Sequence, residues 1–98
     1  MPAFSHTLTE LSGITSGTLA DPAALAALAV SAAGAIGLTA HGPPTTRSGP
    51  QGIAVSLLGH GGHVVLHASP SVGTCLGDVL TPKSSPADRP VDVIASRL

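Results

Sequence analysis

Residues 5–11, SHTLTEL, set Thr and Leu at strand-like spacing and stop at Ser12-Gly13, so the pattern predicts a first strand closed by a turn. Asp21 then offers an N-cap and Pro22 a first-turn proline, while Leu25, Leu28, Ala32 and Ile36 recur on one face of a helix that Gly37 can end. Residues 41–52, HGPPTTRSGPQG, are rich in Pro, Gly and Thr and are expected to form a loop. Two apolar, β-branched runs follow, IAVSLLG at 53–59 and HVVLHAS at 63–69, joined at Gly59-His60-Gly61-Gly62 as neighbouring antiparallel strands. After a Ser69-Pro70 turn, TCLGDVLT at 74–81 reads as another strand. A polar stretch, 81–90, leads to VDVIASRL, a short closing helix. The order β-α-β-β-β-α predicts an α+β protein, a two-layer sandwich of one antiparallel sheet with helices on one face. No internal repeat or long linker interrupts it, and residues 1–98 are expected to be a single domain.

Composition refines this picture in two ways. A chain of 98 residues buries roughly 60–70% of its unfolded surface, and its apolar residues are mostly Ala, Val, Leu and Gly, with Phe4 the single aromatic. Small side chains gain little per residue, so a partner subunit is expected to cover one face. The charge excludes more than it suggests. Arg47, Lys83, Arg89 and Arg97 are dispersed in a chain of net charge −1, with neither a basic patch nor stacking aromatics for nucleic acid. Residues 23–38 carry no charge but fall short of the ~20 residues of a membrane span. One cysteine, Cys75, makes no internal disulfide, and the N-terminus lacks the charged start of a signal peptide, so a cytoplasmic location is expected.

Three of the five histidines, His60, His63 and His67, stand close together and raise the possibility of a metal. On a strand, His63 and His67 are ~13 Å apart, too far to share one ion, and no metal is expected. Alternation places His63, Val65 and His67 on one face, with Val64 and Leu66 on the other; His6, Leu8 and Glu10 behave alike on the first strand. A ligand-binding sheet and a merely solvated one would both show this. Ser56 or Ser69 with His67 and Asp78 supplies the residue types of a nucleophilic triad, but no GxSxG elbow presents a serine. The lone lysine, Lys83, sits in a polar stretch and does not suggest a Schiff base.

The stretches Gly49-Pro50-Gln51-Gly52-Ile53-Ala54, Gly61 to Gly73 and Gly77-Asp78-Val79-Leu80-Thr81-Pro82 resemble, without a gap, the SPQGVSG, ESHISIHTWPEYG and VDVFTCG stretches of the small bacterial, pyruvoyl-dependent S-adenosylmethionine decarboxylases. Upstream, His6 to Gly13 resembles that family's first strand, HVVAELYG, and the resemblance covers most of residues 5–82. It implies the same sandwich, a homodimer, and substrate bound at the open face or edge of the sheet. It also implies what is missing. The family's serine attacks the carbonyl of the preceding glutamate and becomes a pyruvoyl group, the electron sink for decarboxylation; Gly61 and Gly62 stand in those two places. A second processing serine falls on Ala54, the catalytic cysteine on Pro82, the tryptophan on Ser69, and the loop aromatics on Thr45 and Ser48.

What the resemblance leaves is His67 with His63 and Glu10 as candidate acid–base groups, and Gly61, Gly62, Ser69 and Asp78 as candidate substrate contacts. Two glycines in place of a glutamate and a serine are expected to open room in the site. No cofactor is expected, because without a carbonyl sink a histidine alone cannot stabilise the carbanion left by decarboxylation. The expected function is a repurposed small-molecule biosynthetic enzyme using histidine acid–base chemistry, in a cyclisation, isomerisation, elimination or hydrolysis. The alternatives are a non-catalytic subunit regulating an active decarboxylase and a plain ligand-binding protein.

Overall fold

The computed structural model describes residues 4–82 together with residues 94 and 95. Among the described residues, five strands and two α-helices form two layers: β1 (Phe4–Leu11), α1 (Ser16–Leu19), α2 (Pro22–Ala35), β2 (Thr45–Gly49), β3 (Gly52–Gly59), β4 (Gly62–Ser69) and β5 (Thr74–Pro82). The sheet order is β1-β5-β4-β3-β2, with every neighbouring pair antiparallel. Strands β2 to β5 form a meander. Because β1 lies at the edge opposite β2, the chain must cross the sheet between them, and α2 makes the crossing over β3 and β4.

The expected helix forms as its signals require. The Asp21 carboxylate accepts hydrogen bonds from the N–H groups of Ala23 and Ala24 at 3.1 and 3.2 Å, satisfying donors that a helix start leaves unpaired. At the other end Gly37 takes φ 67°, a left-handed conformation that costs glycine little. Leu25, Leu28, Ala29, Ala32 and Ala33 of α2 are buried against Val55, Leu57, Val64, Leu66 and Val79 of the sheet, and Leu19 of α1 joins them. Ile94, in the closing segment, is fully buried and approaches Gly77 on the same side. Residues 94 and 95 are helical, as expected of a closing helix; the rest of 91–98 lies outside the described residues.

One element departs from the sequence expectation. Residues 41–52 are not all loop, since Thr45–Gly49 forms β2, paired from Thr45↔Ser56 to Gly49↔Gly52. Every residue of β2 is exposed, so no hydrophobic alternation marks it. Its pairing follows from the tight Pro50-Gln51 turn, and its polar, short character suits a sheet edge. No helix of the described residues is long and apolar enough to cross a membrane.

Candidate functional site

The strand registers arrange the open face of the sheet, away from α2, into rows. One row runs Leu58, His63, Leu80, His6; the next runs Ser56, Val65, Asp78, Leu8; a third runs Arg47, Ala54, His67, Leu76, Glu10. Chemistry gathers in two places on this face.

The first is centred on Asp78. Its Oδ1 lies 2.6 Å from His6 Nε2 and 3.2 Å from His63 Nε2, diagonal contacts across β5 from β1 and β4. An ionised carboxylate only accepts hydrogen bonds, so both imidazoles carry their proton on Nε2 and donate it. Each neutral ring then keeps an unprotonated Nδ1, the basic nitrogen. Partial burial pushes the Asp78 carboxyl up, but the hydrogen bonds from His6 and His63, with their coulombic attraction, hold it below its ordinary value. Asp78 therefore orients two imidazoles.

The second is a cleft of about 390 Å³ beside His67, lined among others by Arg47, Gln51, Gly52, Ala54 and Ser69. Gly52 at φ 130° has no room for a side chain, because a Cβ there would run into the Ala68 carbonyl oxygen. His67 is exposed and makes no side-chain hydrogen bond with the Asp78 group; four strand residues, ~13 Å, separate it from His63.

The expected site residues are thus divided. His63 and Asp78 meet, whereas His67 and Ser69 share the separate cleft. Glu10 is exposed on β1, with Leu76 between it and His67 in the row, and has no side-chain hydrogen bond among the described residues. Gly61 and Gly62 end the β3–β4 turn, Gly61 at φ 72°. At Gly62 the expected room is absent. A Cβ on Gly62 would point to the covered side, into the Leu80 carbonyl oxygen and within 3.3 Å of Leu38 Cδ1. His41 and His60, near this turn, pack edge to face with ring centroids 4.1 Å apart, away from both groups.

Sequence reasoning missed two functional candidates. His6 shared the polar face of the first strand, but only the β1–β5 pairing brings it to Asp78. Arg47 lay in the stretch expected to be loop, and only the β2–β3 register sets it in line with His67. Cys75 is buried on the opposite face, and burial pushes its thiol up, so it is a small core residue.

The two-layer sandwich and its strand order place the chain in a known fold class. The protein belongs to the S-adenosylmethionine decarboxylase family, whose model matches residues 5–98. Its fold superimposes on the crystal structure of the adenosylmethionine decarboxylase from Aquifex aeolicus VF5 with a TM-score of 0.85 and 22% sequence identity, covering 98% of this chain and 80% of that one. No curated protein sequence matches the chain. The pyruvoyl group that the resemblance implies would form from a serine residue, and neither Gly61 nor Gly62 is one; with the Leu80 carbonyl oxygen against the Cβ position of Gly62, these residues do not fit that group.

Proposed function

We propose that this family member forms no pyruvoyl group and acts on a small molecule by histidine acid–base chemistry at the open face of its sheet. The observation that carries this reading is the pairing of one carboxylate, Asp78, with both His6 and His63. A carboxylate that fixes the tautomer of an imidazole and steadies its protonated form is the usual support of a general base. His67 supplies a second proton-transfer group in the cleft. Such groups can move protons between carbon, nitrogen and oxygen, which serves cyclisation, isomerisation, elimination or hydrolysis. They offer no electron sink for loss of carbon dioxide.

Phe4, Leu8 and Leu58, which are 51%, 60% and 60% exposed, lie on the same face. A second copy covering these side chains would dry the site and strengthen its electrostatics, which supports the homodimer that the family resemblance implies.

Two measurements test the proposal. Intact mass is expected to show one uncut 9.5-kDa chain, whereas two fragments with a blocked new terminus would overturn the loss of self-processing. In a turnover screen of small metabolites, His63→Ala is expected to lower kcat by about 100-fold or more while the fold is kept. Unchanged turnover in His63→Ala and His67→Ala alike would remove the acid–base reading. Activity appearing only when a decarboxylase is added would favour the regulatory subunit instead.

A further inference from the structure

We propose that Arg47 and His67 form a subsite for the carboxylate of a small organic acid, seated over Ala54 in the cleft at the β2 side of the open face. The register sets Arg47, Ala54 and His67 side by side on three adjacent strands. Two strand spacings, ~9.6 Å, separate the outer backbones, and Ala54 contributes only a methyl group between them. A planar carboxylate fits this gap, facing the guanidinium fork on one side and an imidazole N–H on the other.

Charge on the face points the same way. Arg47 is the only lysine or arginine among the described residues, and the ion pairs found there are those of Asp78 with the two histidines. Glu10 and Asp78 occupy β1 and β5, so Asp78 stands three strands from Arg47, ~14 Å, beyond the Debye length of ~8 Å at physiological salt. Asp21 is turned to the N–H groups at the start of α2, and Arg47 makes no ion pair among the described residues, so its guanidinium is open to an incoming anion. One fixed cation matches a monoanion better than a phosphate dianion, which draws several cations or free helix N–H groups. The nearby start of α2 offers little, because Asp21 already occupies the N–H groups of Ala23 and Ala24.

A carboxylate paired to arginine is stabilised in the ground state, so the substrate class is an acid whose carboxylate is a handle retained through the reaction. This inference rests on the reading of the open face as a small-molecule site, but its test does not require turnover. The full chain would be titrated with acetate, benzoate and glycine, with acetamide, benzamide and glycinamide as partners that lack the carboxylate, and with inorganic phosphate, following the Arg47 Nε–H and His67 ring signals by NMR. The acids are expected to shift both signals and the amides neither. Arg47→Gln is expected to weaken acid binding by about tenfold, with Arg47→Lys retaining part of it. Silence with every acid, equal binding of the amides, preference for phosphate, or unchanged affinity in Arg47→Gln would each overturn the subsite. Acid binding that survives alongside unchanged turnover in both His63→Ala and His67→Ala would sink only the acid–base reading. Turnover lost in His63→Ala with an unchanged KM in Arg47→Gln would sink only the subsite.

Discussion

The two faces of the sheet are built from the same strands but differ in what they mix, since the open one sets ionisable side chains among Leu8, Leu58, Val65, Leu76 and Leu80. Toward α2, Val55, Leu57, Val64, Leu66 and Val79 are each at most 2% exposed and form a dry aliphatic layer. Toward the open side, the intervening residues include His63, His67, Asp78 and Arg47. The difference teaches that the helix-covered face carries the stability and the open face is released from that task. A strand can therefore change its chemistry at every second residue without disturbing its packing.

The most severe test of this division compares adjacent residues of β4. Leu66→Ala removes a fully buried side chain and is expected to cost about 2–5 kcal/mol of unfolding free energy. His67→Ala, one residue on and exposed, is expected to stay within about 0.5 kcal/mol. Urea denaturation of the two variants measures both, and equal losses would break the contrast between the faces. Gly62→Ser probes the boundary between them. Its Cβ meets the Leu80 carbonyl oxygen, so the substitution is expected to destabilise by about 1–3 kcal/mol and to leave a single uncut chain by intact mass. Self-cleavage in this variant would show that β4 and β5 can part enough to restore the family's chemistry.

Asp78→Asn addresses the open face through pH. Because its folded pKa lies below its ordinary value, the contribution of Asp78 to stability is complete above the unfolded carboxylate pKa, about 3.9. It is lost as the pH falls through the depressed folded value. The gap between wild type and Asp78→Asn is therefore expected to close in strong acid, below about pH 4. A gap that persists at the acid end would mean that the carboxylate draws nothing from His6 and His63.

The same contrast explains what could be read from the sequence. The helix was legible because Asp21, Pro22 and Gly37 mark its ends and Leu25, Leu28 and Ala32 its buried side; β3, β4 and β5 were legible because one face of each is buried. Strand β2 was not, since with both faces in water nothing forces its residues to alternate. The site followed suit. His63 and His67 were correctly given one face by local alternation, and their separation on a strand was foreseen. Which distant residues would meet them depends on sheet order and register, long-range properties that no local pattern encodes. That is why His6 and Arg47 were missed, and why Gly62, expected to line the site, gave no sign of the Leu80 carbonyl against its side.

The smallest expected effect lies in the covered face, at the one buried polar side chain among the described residues. Thr81 is fully buried, and its hydroxyl has no hydrogen-bond partner among the described residues. A buried hydroxyl left unpaired loses its hydration without compensation, which sets it against the aliphatic residues around it. Thr81→Val keeps the shape and removes the hydroxyl, and is expected to raise the unfolding free energy by up to about 1 kcal/mol. Calorimetry resolves a change of that size as a rise in Tm of several degrees, about 4–8 °C per kcal/mol for a domain of this length. A fall in Tm would mean that the hydroxyl is held by a partner, and that the covered layer is less uniformly apolar than its strands imply.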